Sequence, residues 1–405
     1  MAYTVQKILK EVILRTIKFK IMKDYLNIPY EINNRRCDGI YDCYNRAQML
    51  YWRSVGETVM SAYGAELEKM GYTVFQRNED KNVHSVTYRN GNASAHAYYL
   101  KRVGEFRVIL QEDAEFPINP YSYQEVCAPS VTQLGIYNDP KVYTGMGYLI
   151  RLSDGTFVVV DGGIALDYNC ELLYRLLCEQ KPDGVEDIVI SGWILTHDHG
   201  DHYGVIKSFL EEYESKVTVR MLIGNEISDQ VYATTEKGTR SFDFGRVAGR
   251  FGGCALMKVH TGQRLCFPGV TLTVLRTHED IYPETMRLFN DVASTVFDAV
   301  IGDTRFLWLA DVEKASAPRL QEMYGEDLKC DVMQIAHHGI GDGWDALYAL
   351  CNPRIAMWPA GTEVLTYKDG IRFERPHIKY LVDTTEQMVY AAHGTYTFEL
   401  ERQGK

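Results

Sequence analysis

One stretch constrains this chain more than any other: L-T-H-D-H-G-D-H-Y-G at 195–204, with three histidines (His197, His199, His202) and two aspartates (Asp198, Asp201) in six residues. An apolar run at 188–195 leads in, and a helix-like segment at 203–213 leads out. A strand ending in such a loop projects imidazoles and carboxylates together at the C-terminal edge of a sheet, where sites in α/β proteins form. Those ligand types hold a catalytic divalent ion while leaving a position open for water. A polar turn with incidental histidines is the plainer alternative, and the spacing His-x-His-x-Asp-His is too rare by composition to favour it.

Length and composition narrow the rest. At 405 residues the chain exceeds what one hydrophobic core usually serves, so a large domain with an appendage is expected. An apolar share of 46% provides a packed interior and argues against disorder. The net charge of −11 argues against long nucleic acid bound through its phosphates, and leaves room for a small-molecule substrate, anionic or not. Nine cysteines with no C-x-x-C pair read as reduced, mostly buried thiols. No uncharged run approaches the ~20 residues of a membrane span, and six Lys/Arg interrupt the apolar residues of 1–23. A cytoplasmic protein without a transmembrane segment is the expectation.

In chain order, residues 1–115 read as a small α+β domain whose role the sequence does not name. Residues 4–26 carry a helical apolar stripe with a basic opposite face, suited to packing on its own domain more than to a membrane surface. Residues 41–70 read as a second helix, followed by strands at 72–77, 84–89, 95–103 and 105–111, with Asn90-Gly91 as a hairpin signal. His84 and His96 read as sheet-face histidines. Residues 116–129, rich in Pro and Tyr, form the expected linker. From 130 to 405 strands alternate with helices, which fits two packed sheets with helices outside.

Four further pieces carry chemistry, each at a strand end. V-V-V-D-G-G at 158–163 places Asp161 in a tight turn, suited to orienting a ligating imidazole. L-W-L-A-D-V at 307–312 ends in Asp311, whose two oxygens suit a bridge between ions; a helix N-cap is the alternative. V-M-Q-I-A-H-H-G at 332–339 offers adjacent histidines that cannot both easily face one ion, so His337 is read as ligand and His338 as its support. N-D-V-A-S at 290–294 is a polar turn in which Asn290 is a weak ligand but a good donor to an oxyanion.

This pattern resembles the metallo-β-lactamase superfamily over roughly residues 130–400, and within it the hydrolase domain of the ComEC/Rec2 DNA-uptake proteins, through the segments N-D-V-A-S-T-V-F, L-W-L-A-D-V and I-A-H-H-G. The resemblance implies an αββα four-layer sandwich and a metal-dependent hydrolase. His197 and His199 would hold one ion and Asp201, His202 and His337 the second, with Asp311 spanning both. Two divalent ions are implied, zinc first, manganese or iron next. The chain departs from the family where a third histidine of the first metal is expected, at Asn290, so that site is weaker or completed by His278 or by substrate. Ala310 stands where glycine precedes the bridging aspartate. No pore-forming region accompanies the domain, so the transport role does not carry over.

The mechanism expected is attack by a water ionised at the dinuclear centre. Asp201 is placed with the reacting water, and Asp198 as a proton shuttle or a solvated carboxylate. His377 and His393 would contact substrate or protonate the leaving group, or are simply surface histidines. A small phosphodiester or nucleotide leads as substrate. A lactone, ester, thioester or amide hydrolase is the alternative, and a non-catalytic metal-binding interaction protein is the rival of another class.

Overall fold

A computed structural model describes residues 29–44, 46–112, 114, 122–136, 144–229, 242–282, 290–341, 344–366 and 371–400. The helix expected at 4–26 and part of the expected linker lie outside them.

Two sheets face each other. The first runs in the order Ala255–Lys258, Met221–Gly224, Val189–Leu195, Phe157–Asp161, Gly147–Arg151, Ser130–Gln133, Tyr396–Glu399, so the last described strand returns beside the first strand of the sandwich. Its first four members are parallel and the rest antiparallel. The second runs Arg264–Phe267, Val270–Arg276, Val296–Ile301, Thr304–Trp308, Val332–Gln334, Ile355–Trp358, Gln387–Tyr390, antiparallel at first and parallel from Thr304–Trp308 onward.

Side-chain alternation builds the layers. Val158 and Val160 point into the core between the sheets, with Ile194, Phe297, Phe306 and Trp308. Phe157 and Val159 point the other way, under the helices Asp167–Gln180 and Gly200–Tyr213. Leu307 and Leu309 likewise face outward beneath Ala317–Tyr324 and Asp345–Cys351. Strands buried on both faces read as continuous apolar runs, which is why 157–160 and 188–195 look alike in sequence. The four-layer α/β sandwich expected from the sequence is the architecture observed. The parallel strands of both sheets end at one rim, which gathers Asp161, the 197–202 loop, Asp311 and the 337–338 pair.

The N-terminal portion differs from expectation in one element. Residues 41–70 are not one helix: Gly39–Asp42 and Ala47–Trp52 are strands, and only Thr58–Lys69 is helical. Ala47–Trp52 is central in its sheet and buried almost throughout, so its two apolar faces mimic a helical stripe. The six-stranded antiparallel sheet orders Gly39–Asp42, Ala47–Trp52, Glu105–Gln111, Ala93–Leu100, Val83–Asn90, Thr73–Glu79. One face covers its own helix through Trp52, Tyr63 and Phe106. The other shares a core with the sandwich, where Met49, Tyr98 and Ile109 meet Leu275, Leu307 and Tyr324.

Polar contacts fix that docking. Arg107, fully buried, donates to the carbonyls of Glu279 at 2.6 Å and Tyr282 at 3.0 Å and to Glu105 at 2.8 Å. Tyr98 donates to Asp280 at 2.8 Å, and His96 lies between Thr87 and the Thr261 carbonyl. Replacing one partner of such a network strands the others without water. Arg107→Met is expected to lower unfolding free energy by about 3 kcal/mol in urea titration; a loss below about 1 kcal/mol would remove Arg107 from this anchoring role.

Candidate metal centre

Each functional side chain is placed by a strand end. Asp161 closes Phe157–Asp161 with a left-handed φ of 55°. There it accepts the Thr196 backbone N–H and hydroxyl, both at 2.8 Å, and pairs with His202 Nδ1 at 2.7 Å. That bond fixes the His202 tautomer and leaves Nε2 to face the rim. His338 is set the same way. Its Nδ1 donates to the Pro359 carbonyl at 2.7 Å, and its Nε2 lies 3.2 Å from Asp201, 3.3 Å from Asp311 and 3.3 Å from His202 Nε2.

A second group adjoins the first. His199 Nδ1 is 2.6 Å from Asp291 Oδ1, His197 Nε2 is 3.5 Å from the same oxygen, and His197 Nε2 is 3.8 Å from Asp311 Oδ2. The ligand atoms of His197, His199, Asp291 and Asp311 all lie within 4.8 Å of one another, as do those of Asp201, His202 and His338. Asp311, 1% exposed, stands between the groups, 3.1 Å from His202 Nε2.

The electrostatics follow from burial. Burial works to raise the Asp311 carboxyl, but the imidazoles of His202 and His338 outweigh it and hold it well below the usual carboxylate range. Burial, helped by neighbouring His202, pushes His197 below the ordinary imidazole value and keeps its lone pair available. Asp291 is held low against burial by His197 and His199.

These donors fit divalent ions. His197 Nε2, Asp291 Oδ1 and Asp311 Oδ1 are buried without a hydrogen-bond partner despite crowding around them. Lone pairs that converge at short range without aligning on one another are what a common cation organises.

Placement differs from the sequence expectations at several residues. His337 was expected in the second group and His338 behind it, yet His338 Nε2 is the atom that faces Asp201 and His202. Both residues are left-handed, with φ of 45° and 52°. That double turn drops His338 into the rim and lifts His337, whose Nδ1 is 2.7 Å from Glu313 and whose Nε2 is 4.0 Å from both Asp291 and Asp311. Glu313, two residues past Asp311, was missed.

Asp291 was missed beside Asn290, whose side chain lies outside the described residues. An ionised carboxylate is the better ligand of an N-D pair, and that chemistry was the available signal. Asp198 is 7% exposed rather than solvated, and lines a small cavity with His197, Asn225 and Phe244. His377 does not reach the rim: it begins the helix Pro376–Thr384 and packs edge-on against Trp344 at 5.1 Å. His393 is exposed in the turn Ala391–His393 against Tyr390. His278 sits in a separate buried group with Cys43 and Glu279, not with His197.

Residues 142–256, which run from just before the strand Gly147–Arg151 into the strand Ala255–Lys258, match the family described as the metallo-beta-lactamase superfamily. The match takes in Asp161 and the 197–202 loop; the second sheet, with Asp291, Asp311 and His338, lies beyond it. Among solved structures, the diiron beta-hydroxylase CmlA from Streptomyces venezuelae is similar at 13% identity and a TM-score of 0.41, over 70% of this chain and 55% of that one. A long form RNase Z from yeast is similar at 8% identity and a TM-score of 0.34, over 57% of this chain and 36% of that one. The chain thus spans little more than half the length of CmlA. No curated protein matches it by sequence.

Asp161 ties the 196–202 loop to its strand independently of any ion. Asp161→Ala leaves the Thr196 N–H and His202 Nδ1 buried and unpaired. Its expected cost is about 2–3 kcal/mol of stability, measured by denaturant unfolding of chelator-treated protein. An unchanged midpoint would show that the loop is held by other contacts.

Proposed function

We propose that the protein is a metal-dependent hydrolase with a dinuclear centre. His197, His199 and Asp291 would hold one ion and Asp201, His202 and His338 the other, with Asp311 in reach of both groups. The observation that carries this reading is the convergence of two donor groups on the one buried Asp311 carboxylate. Ions in those positions supply Lewis acidity toward a water nucleophile and toward the leaving oxygen. Zinc suits the imidazoles; Asp291 in place of a third imidazole makes manganese or iron the competitors.

The chain's own residues do the positioning. Asp161 and the Pro359 carbonyl hold His202 and His338 through their Nδ1 atoms, so both rings already present Nε2 to the site, and the surrounding carboxylates, which raise both imidazoles, mean that an ion would displace the Nε2 protons. Asp201, part-exposed, reaches both the rim and His338, and so borders the space where a water would be oriented. Glu313 holds the His337 ring with Nε2 above the carboxylates, where it can donate to a leaving oxygen.

A small phosphodiester or nucleotide is the substrate class we favour. The ligating carboxylates Asp201, Asp291 and Asp311 would offset three of the four positive charges that two divalent ions bring, which would leave room for an anionic group, and a pair of ions would supply charge to both its attacking and its leaving oxygen. Metal-loaded protein is expected to hydrolyse bis-p-nitrophenyl phosphate with zinc or manganese, and Asp201→Ala to lose this by about a thousandfold or more. Turnover of a lactone or thioester in its place would overturn the substrate class alone. Turnover of none, with two ions bound, would overturn the hydrolase.

The two adjacent histidines separate by a different readout. His338→Ala is expected to bind one metal equivalent fewer by elemental analysis. His337→Ala keeps both and loses about a hundredfold in kcat. The reverse pattern would restore the assignment expected from sequence.

A further inference from the structure

A second set of ligand-type side chains is buried where the N-terminal sheet meets the sandwich. Cys43 follows the strand Gly39–Asp42, and His278 and Glu279 open the turn His278–Ile281. All three are 0% exposed, and their sulfur, nitrogen and oxygen ligand atoms lie within 4.8 Å of one another.

The surroundings are polar and mostly paired. Glu279 meets His260 Nδ1 at 2.9 Å and the Thr277 hydroxyl at 3.1 Å. Lys258 Nζ lies 3.9 Å from its other oxygen and donates to the Cys43 carbonyl. Asp280 accepts from Tyr98 and Thr261, and Arg107 takes the carbonyls of the same turn. His278 is unpaired at both ring nitrogens among the described residues, although the Asn225 backbone lies within reach of the ring; the Tyr282 hydroxyl and Asn225 Oδ1 are unpaired beside it. The Tyr282 ring stands perpendicular to the imidazole at 5.6 Å. The Cys43 sulfur has only a 3.9 Å contact with the Tyr41 carbonyl. Buried imidazoles are paired as a rule, and a hydrogen-bonded interface alone leaves this one without an explanation.

We propose that Cys43, His278 and Glu279 bind a borderline divalent cation of the zinc type, distinct from the catalytic pair, which fastens the N-terminal sheet to the sandwich. Mixed sulfur, nitrogen and oxygen donors suit that class of ion. Binding releases the thiol proton to solvent, so a thiolate and a carboxylate offset the charge of the ion. Lys258 is accommodated because its ammonium turns to the Cys43 carbonyl. The ligands come from two portions of the chain more than 230 positions apart, so the bond would act as a clasp.

Cobalt(II) tests this directly, because the catalytic groups offer only nitrogen and oxygen and cannot give thiolate-to-cobalt absorption. Metal-free full-length protein titrated with cobalt(II) is expected to show, once all sites are filled, a near-ultraviolet charge-transfer band with the intensity of a single thiolate–cobalt bond per chain. The band should vanish in Cys43→Ser and persist in His199→Ala. No band in the wild-type protein at saturating cobalt overturns the proposal, as does a band that survives Cys43→Ser. Should Cys43→Ser not fold, His278→Gln decides: at least a tenfold weaker cobalt affinity for the band supports the site, and unchanged affinity overturns it.

Discussion

The carboxylate of Asp311 is the constraint around which the rim of the sandwich is arranged. An ionised group buried this deeply is costly unless cations or strong donors surround it. Here four imidazoles stand within 4.0 Å of it, His202 at 3.1 Å, His338 at 3.3 Å, His197 at 3.8 Å and His337 at 4.0 Å, and they offset the nearby carboxylate of Asp291 as well. Two of those imidazoles are oriented from behind by acceptors that take their Nδ1 protons. The ring lone pairs, like the carboxylate, are thus aimed at a shared space. Both sheets must end their parallel strands at the same rim for this to happen, because Asp161 and the histidine loop come from one sheet and Asp311 and His338 from the other.

The backbone bears a cost there. Asp161, Ala310, His337 and His338 all hold positive φ, between 45° and 55°. Such conformations cost on the order of 1 kcal/mol or more each for residues other than glycine, and collect where a surrounding structure imposes them. At Ala310 the strain explains a sequence oddity. The resembling family places glycine before the bridging aspartate, and a left-handed turn is what that glycine serves. At His337 and His338 consecutive left-handed residues reverse which of the two side chains enters the rim.

That reversal marks where the sequence stops being legible. Two packed sheets with helices outside and the strand feeding the histidine loop were readable because apolar periodicity and strand-end polarity are local signals, whereas the convergence of 161, 197–202 and 311 was implied by the family resemblance, since it joins residues from two sheets. The choice between His337 and His338 was not, since a side-chain direction set by φ leaves no trace in composition. Asp291 was readable in principle from ligand chemistry, being an acid beside an amide. His377 and His393 were read as substrate contacts or surface histidines, and no sequence pattern decides between these; tertiary packing places one against Trp344 and the other at the surface. Residues 41–52 show the converse failure, since a central strand buried on two faces carries no alternation to read.

The N-terminal sheet is more than an appendage on physical grounds. Its hairpin tip, with Tyr44 and Arg46, closes one side of a cavity of about 300 Å³ whose other side is Glu226, Phe244 and Lys258. Glu226 and Phe244 also line the small cavity beside His197 and Asp198. Asn225 completes the connection, because it borders that small cavity and lies against His278 at the docking interface. A shift of the sheet against the sandwich would therefore move atoms that pack directly behind His197. The position of the first ligand group and the seating of the N-terminal sheet share one set of buried contacts, so neither can relax without the other.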